Sequence, residues 1–186
     1  MNGWNRFWGH LATITKHRHK VIAHCAKAGI LLQGLRHDLS KYSPTEFWQG
    51  VRFFDGTHSP TEDERRTLGC SLAWMHHKGR NRHHYEYWTD MNPQTHRYEP
   101  VLMPRRYLAE MVMDRRAACM TYQGKNYHPG AELEYLEKSK ERLLLHPETL
   151  RQLEYILTML KDQGERVTFR YLREEVLKNK PFPWEK

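Results

Sequence analysis

Hydrophobic residues recur at spacings of three and four along much of the chain, which is the period of an amphipathic α-helix. The first such stripe predicts a helix from about residue 4 to residue 35, with a break near Gly29. Its apolar face carries two histidines, and we expect the leucines at its end to be buried. The stripe consists of Ile14, His17, Val21, His24, Cys25 and Ala28, and the leucines are Leu31, Leu32 and Leu35.

Two capping patterns predict where the next helices begin. Residues 43–46, Ser-Pro-Thr-Glu, combine an N-cap, a proline at the first helical position and a closing glutamate, and they predict a helix to about Phe54. Residues 61–64, Thr-Glu-Asp-Glu, form a second capping box and open a helix that is predicted to end near Gly79. A turn-rich loop separates the two helices.

The remainder of the chain is also predicted to be helical. Residues 89–103 look irregular and contain no convincing strand, and a helix then runs from Pro104 to about Tyr122 with Asp114 on its apolar stripe. Three more amphipathic helices are predicted over residues 130–145, 147–160 and 168–177.

These elements predict an all-α fold, a single-domain helical bundle. Residues 1–125 would form the core of the domain, and residues 126–186 a C-terminal helical extension packed on that core. We expect the last residues to form a tail that docks through Trp184.

Composition and charge narrow the class of partner. The 186 residues are 39% hydrophobic and 28% charged, which suits a folded domain, and the net charge of +8 favours a nucleotide, a nucleic acid or another phosphate compound. Three scattered cysteines without a CxxC motif predict a reducing, cytoplasmic location. No apolar run approaches the about 18 residues of a membrane span, so we expect no membrane partner and no signal peptide. The oligomeric state stays open.

Candidate chemistry begins with residues 37–41, His-Asp-Leu-Ser-Lys. A charge on a buried face needs a partner, and a bound cation is one partner that would serve Asp38. The alternative is an exposed His37-Asp38 pair that caps the next turn. Asp114 raises the same question because it lies on an apolar stripe, where its partner is either an arginine or a metal. His17 is of interest because its stripe leads towards His37.

Histidine is unusually frequent, with 13 residues, and two adjacent pairs occupy positions 76–77 and 83–84. One interpretation is a solvated basic and aromatic loop that binds polyanions. We favour the other, in which one pair binds metal and the other pair, with the arginines, faces a phosphate, because imidazole is a common metal ligand. Which pair binds the metal stays open from spacing alone. The residues assigned to substrate are Lys41, Arg80, Arg82, His83 and His84.

Taken together, these residues follow the order His, His-Asp, His-His, Asp. That order resembles the HD-domain superfamily of metal-dependent phosphohydrolases, in which a helical bundle holds one or two metals. Residues 37–41 look like the HD-x-x-K motif of this superfamily, and the pair 76–77 is similar to the adjacent histidines of its two-metal branch. The metal ligands that the resemblance implies are His17, His37, Asp38, His76, His77 and Asp114.

A closer resemblance is to a small, uncharacterised, histidine-rich family of bacterial and phage proteins. Three stretches within residues 17–125 carry it, HDLSKYSPTEFWQG, HHKGRNRHHYEYW and MPRRYLAEMVMDRRAACMTY. This second resemblance implies no established activity.

The HD resemblance and the ligand types together predict a metal-dependent phosphohydrolase. Imidazoles and carboxylates without thiolates suit one or two Mn²⁺, Fe²⁺, Mg²⁺ or similar ions. A metal-activated water would hydrolyse a phosphomonoester or phosphodiester of a nucleotide or related compound, with Asp38 as ligand and Lys41 on the phosphate or leaving group. Two alternatives stay open: a non-enzymatic nucleotide- or nucleic-acid-binding protein of bacterial or phage origin, and an HD-type di-iron oxygenase.

Overall fold

The computed structural model describes residues 2–185, and the prediction of an all-α fold is confirmed. Most of these residues lie in eight α-helices, joined by loops and short 3₁₀ turns. The helices are α1 (Gly3–Ala28), α2 (Leu31–Arg36), α3 (Pro44–Phe53), α4 (Pro60–Leu68), α5 (Leu72–Lys78), α6 (Arg105–Tyr122), α7 (Ala131–Glu137) and α8 (Pro147–Tyr171). Within the described residues, no helix combines the length and apolarity that crossing a membrane requires.

A local interaction determines where the first helix, α1, begins and where it ends. Asn2 caps it, because its side-chain oxygen accepts a hydrogen bond from the Asn5 amide at 2.8 Å. Gly29 ends it with φ 86°, a left-handed conformation that glycine adopts without steric cost. The predicted break at Gly29 is therefore confirmed, and the buried face of α1 includes His17 and His24.

The leucines that were expected to end a buried helix are exposed instead. Beyond Gly29 the chain turns into α2, which packs beside α1. Gly34 is the α2 residue that faces α1, and a Cβ there would lie 2.5 Å from Cys25 Cβ. This contact turns the apolar side chains of α2 outwards and brings His37, at the end of α2, towards α1. The exposed fractions are 45% for Leu31, 77% for Leu32 and 44% for Leu35.

Several helices differ in extent from the prediction. The single helix expected after the second capping box is divided into α4 and α5, because Gly69 adopts φ 77° and Ser71 caps α5 by accepting a hydrogen bond from the Trp74 amide. α7 is shorter than expected and ends at Glu137. The last two predicted helices join into α8, whose backbone is non-helical at Gly164, and a π-helical turn follows it.

A short antiparallel hairpin occupies the region that was expected to be irregular. Strands β1 (Thr89–Met91) and β2 (Tyr98–Pro100) pair with Asp90 opposite Glu99. Asn92 closes the hairpin, since its Nδ2 donates to Glu99 Oε2 at 2.6 Å. Strands of three residues are too short to show an alternating pattern, so the prediction of no strands was wrong here.

The apolar core lies between α1, α6, α7 and α8, where one cluster of buried residues spans both halves of the chain. The C-terminal tail joins it: Phe182 is fully buried, and Trp184 Nε1 donates to Glu148 Oε1 at 3.0 Å. The residues that α6 buries are Leu108, Ala109, Glu110, Met111, Val112, Met113 and Ala117.

Between residues 29 and 102 the interior is mostly polar. Phe54 and Ala73 are the only hydrophobic residues of this region that are buried. The polar and charged residues buried there are His37, Asp38, Glu46, Glu64, Ser71, His77, Asn81 and His83. The fold therefore places a polar interior beside an apolar core.

Candidate metal centre

Asp38 lies at the centre of the polar interior and is 1% exposed. Its backbone adopts φ 54°, a left-handed conformation that residues other than glycine adopt rarely and often at functional sites. Its two carboxylate oxygens face different histidines. Oδ2 is 3.3 Å from His37 Nε2 and 3.8 Å from His17 Nε2. Oδ1 is 3.3 Å from His77 Nε2 and 3.4 Å from His83 Nε2.

The first ligand group consists of His17, His37, Asp38 and Asp114. α1 supplies His17, the segment after α2 supplies His37 and Asp38, and α6 supplies Asp114. One ligand atom from each residue lies within 4.8 Å of the others. Asp114 Oδ1 is 2.9 Å from His17 Nε2 and 3.4 Å from His37 Nε2. The structure thus brings together four residues that the sequence singled out, and this group could hold a metal ion.

The second ligand group consists of Asp38, His77, His83 and His84, again with ligand atoms within 4.8 Å of one another. His77 lies in the last turn of α5, and the other two histidines lie in the loop after it. Asn81 fixes the start of this loop, because its Nδ2 donates to the His77 carbonyl at 2.8 Å. This group also could hold a metal ion, and it shares Asp38 with the first.

The atoms that point into the two groups are buried without a hydrogen-bond partner among the described residues. Although His17 Nε2 is 2.9 Å from Asp114 Oδ1, the pair is not aligned as a hydrogen bond. Buried polar atoms are rarely left unpaired because each costs free energy, and one cation in each group would satisfy them. They are Nε2 of His17, His37, His77, His83 and His84, and both carboxylate oxygens of Asp38, of which Oδ2 forms an ion pair with Lys41 Nζ at 2.7 Å.

Two buried glutamates contact the opposite nitrogens of the same imidazoles. Glu110 Oε1 is 2.9 Å from His37 Nδ1 and 3.2 Å from His83 Nδ1. Glu46 Oε2 is 2.8 Å from His77 Nδ1. An imidazole that donates its Nδ1–H to a carboxylate presents the Nε2 lone pair, which is the form that binds a metal.

Both glutamates escaped the sequence prediction. Glu46 closes a capping box, and that role accounts for the residue without any link to a ligand. Glu110 precedes Asp114 by one helical turn, so the spacing i, i+4 could have placed both on one face. The position of Glu110, one helical turn before an inward-facing aspartate, was the signal that could have identified it as part of the site.

Burial and charge compete at the ligands. Burial raises the pKa of Asp38, but the neighbouring His37 and Lys41 outweigh it and hold that pKa well below its usual value. Burial also raises the pKa of Asp114, and contacts with His17 and His37 again bring it well below its usual value. For His37, burial lowers the pKa, whereas Asp38 and other carboxylates raise it well above its usual value. The carboxylates are therefore ionised at neutral pH, as cation binding requires, and His37 would release a proton when a metal binds.

Lys41 stands beside the centre and borders a cavity. Its Nζ is 2.7 Å from Asp38 Oδ2, and 31% of its side chain is exposed. Burial lowers the pKa of its ammonium group, but the neighbouring Asp38 carboxylate raises it by more. The net pKa lies above its usual value, so the group is cationic. The cavity has a volume of about 80 Å³ and is lined in part by His10, Gln49 and His77. At roughly 10–15 Å³ for each water, it has room for several waters.

One predicted ligand, His76, lies outside both groups. Its Nδ1 is 2.6 Å from Glu46 Oε1. Consecutive residues of an α-helix point about 100° apart, so only His77 of the pair turns towards the ligand group. Residues 83–84, which were predicted to face the substrate, stand in the second ligand group instead.

The two arginines assigned to the substrate have contacts elsewhere. Arg80 is exposed, and its Nη1 donates to the His76 carbonyl at 3.3 Å. Arg82 is also exposed, donates to the Tyr107 hydroxyl at 3.2 Å and lies over the Tyr87 ring. Of the residues assigned to the substrate, only Lys41 combines a contact with a ligand and a position on the cavity.

A model of the DUF5662 family, described as a family of unknown function, matches residues 6–159. The chain belongs to this family. The matched range contains every member of both ligand groups as well as Lys41, Glu46 and Glu110. Comparison with curated proteins and with solved structures gives no match. Membership in the family brings no activity with it, and the relationship to the HD superfamily stays a prediction.

Proposed function

We propose that this chain is a metal-dependent phosphohydrolase that acts on a nucleotide or a related phosphoester. The observation that carries the proposal is the position of Asp38, whose two oxygens each face a separate group of imidazoles. Asp38 would be a ligand in both groups, and paired ions, when bound, commonly serve phosphoryl transfer by stabilising both the attacking and the leaving oxygen. The likeness of residues 37–41 to HD-x-x-K supports the same assignment.

The donor sets fit the ions that such a reaction uses. Imidazoles and carboxylates without thiolates suit Mn²⁺, Fe²⁺, Mg²⁺ or similar ions. When bound, these ions would lower the pKa of a coordinated water and offset the charge of a phosphoryl oxygen. His17, His37, Asp38 and Asp114 would hold one ion, and Asp38, His77, His83 and His84 would hold the other.

The chain's own residues supply substrate binding and ligand orientation. The Lys41 ammonium borders the cavity beside Asp38, so a phosphoryl group there would contact a cation next to the ligand groups. Glu46 and Glu110 would keep the imidazoles in the form that binds metal. The net charge of +8 would draw anionic substrates towards the protein.

Oxygenase chemistry is a second candidate. The observation that favours it is the composition of the second ligand group, with three imidazoles and one carboxylate. Iron binds well to such nitrogen-rich sets. An enzyme of this class would consume O₂ when loaded with Fe²⁺ and would release no phosphate.

The test is an assay of phosphate release after metal removal and reloading with Mn²⁺, Mg²⁺ or Fe²⁺. The substrates are nucleoside mono-, di- and triphosphates, cyclic nucleotides and nitrophenyl phosphate mono- and diesters. We expect metal-dependent hydrolysis that falls by about 100-fold or more in Asp38→Asn, a loss like that of removing a group that stabilises the transition state. Lys41→Met should raise KM while the metal content stays at the wild-type level, and His76→Gln is the matched control.

Three other results would count against the proposal. Consumption of O₂ by the Fe²⁺-loaded protein without phosphate release would favour the oxygenase. Salt-sensitive binding of nucleotide or nucleic acid without turnover would favour a binding protein. Hydrolysis that persists in Asp38→Asn would show that the reaction takes place elsewhere on the chain.

A further inference from the structure

Two imidazoles from different ligand groups lie side by side. His37 belongs to the first group and His83 to the second, yet their ring centroids are 4.3 Å apart and their planes are inclined at 36°. Nε2 of each ring is directed at Asp38, at 3.3 and 3.4 Å. Nδ1 of each ring is directed at a single atom, Oε1 of Glu110, at 2.9 and 3.2 Å.

Glu110 is itself held in place. It lies on α6 and is buried, and its other oxygen, Oε2, accepts a hydrogen bond from Gln33 Nε2. Gln33 lies on α2 and is fixed in turn by Arg106, whose Nε donates to Gln33 Oε1 at 3.2 Å and whose carbonyl accepts from Gln33 Nε2 at 3.1 Å. A carboxylate clamped in this way has a fixed orientation, so it can impose an orientation on the imidazoles that donate to it.

We infer that Glu110 is a positioning residue that sets the orientation of one histidine in each ligand group. The inference rests on the metal centre of the proposed function and adds a requirement that the two ligand groups alone do not imply. Because a single oxygen lies against Nδ1 of both His37 and His83, a change at Glu110 should affect both ions. A change in any ligand other than Asp38 would act directly on one ion.

Glu46 provides the matched comparison. It is a buried glutamate with the same kind of contact, but the only ligand-group histidine that its carboxylate contacts is His77, in the second group. Its other oxygen contacts His76, which lies outside both groups. Glu46→Gln should therefore disturb one ion, whereas Glu110→Gln should disturb two.

The experiment titrates metal-free wild type, Glu110→Gln and Glu46→Gln with Mn²⁺ and measures free Mn²⁺ by electron paramagnetic resonance. We expect wild type to bind two equivalents and Glu110→Gln to bind both about tenfold or more weakly, the usual cost of losing an outer-shell partner. Glu46→Gln should weaken one equivalent and leave the other unchanged. The visible spectrum of the Co²⁺-loaded protein should change in Glu110→Gln while far-ultraviolet circular dichroism does not, since a merely structural role would not alter the spectrum of a folded protein.

Wild-type affinity in Glu110→Gln, or a loss confined to one equivalent, would overturn the inference. If Glu110→Gln does not fold, Gln33→Leu decides, because it removes the donor to Glu110 and leaves the carboxylate in place. Weaker binding of both equivalents in that variant supports the inference, and unchanged binding overturns it. A wild-type chain that binds no divalent ion contradicts the proposed function itself, so the two failures can be told apart.

Discussion

Glu110 and Asp114 lie one turn apart on α6 and approach His37 from opposite sides of its ring. Glu110 Oε1 is 2.9 Å from Nδ1, and Asp114 Oδ1 is 3.4 Å from Nε2. Residues four apart share a face of a helix, so α6 supplies both a candidate ligand and the group that orients the neighbouring one. The helix holds them firmly because most of its remaining circumference is packed in the apolar core.

Replacing Asp38 should remove tight metal binding at both ligand groups. Asparagine has the same shape and tolerates the left-handed backbone. Its amide is uncharged, however, and offers only one oxygen as a ligand. We expect the metal content of dialysed Asp38→Asn, measured by plasma mass spectrometry, to fall to background, and that of His37→Ala to lose the ion of the first group, while helicity is retained in both. His76→Gln should keep the wild-type content. Full metal occupancy in the Asp38→Asn, His37→Ala double variant would contradict the site.

Substitutions in the unshared ligands should separate the two groups. Asp114→Asn removes a charged ligand from the first group, and His84→Gln removes an imidazole from the second. Each variant should therefore lose one of two Mn²⁺ equivalents in a calorimetric titration and keep the other. Loss of both equivalents in either variant would contradict separate groups, because it would mean that the two ions bind only together.

Gly34→Ala should destabilise the protein through the contact between α1 and α2. The added Cβ would lie 2.5 Å from Cys25 Cβ on a fully buried side chain, so the helices must move apart. Overpacking of this kind costs about 1–3 kcal/mol, which urea unfolding can measure. Gly3→Ala is the control, because nothing lies within 4 Å of the position that its new Cβ would take. Equal stability of the two variants would contradict the close packing.

Acid should destabilise the fold through two buried histidines. Burial lowers the pKa of His10 and His24 to about 4, and the nearby cations Lys41 and Arg116 add to the effect. Between pH 6.5 and 4 the unfolded chain binds more protons than the folded one, so stability is complete above this range and is lost as the pH falls. The loss approaches about 3 kcal/mol for each histidine.

The measurement is urea unfolding of wild type and His24→Gln at several pH values between 7 and 4. Because other groups titrate in this range, the difference between the two proteins isolates the contribution of one histidine. The variant should show a shallower dependence on pH. Parallel curves would mean that His24 has a similar pKa in the folded and unfolded states.

Helical periodicity predicted much of the fold and part of the site. The stripe on α1 placed His17 on a buried face, and the stripe on α6 placed Asp114 in a half-buried position facing His17, because residues three and four apart share a helical face. The same reasoning misplaced the leucines of α2. Helical spacing indicates which residues share a face but not which face is buried. In α2 the close approach of Gly34 to α1 determines which face is buried.

The histidine pairs mark the limit of reasoning from spacing. Residues 83–84 lie in a loop whose course depends on the Asn81 bond to the His77 carbonyl, and no periodicity reports such a bond. Within the pair 76–77, the helix decides which ring faces inwards, but the sequence does not show the phase of a helix as short as α5. Glu110 shares a face with Asp114, but it was not predicted as part of the site because its neighbours in the sequence are apolar.

The region from residue 29 to residue 102 buries only Phe54 and Ala73 as hydrophobic side chains, so polar contacts across the two ligand groups add to the aromatic contacts that hold it to α1 and the core. Ions bound there would cross-link segments that are far apart in the sequence, much as disulfides do in small domains. Chelation with EDTA should therefore speed amide hydrogen exchange in residues 37–84 while α7 and α8 stay protected. The supply of metal would then set the local stability of this part of the chain rather than its helical content.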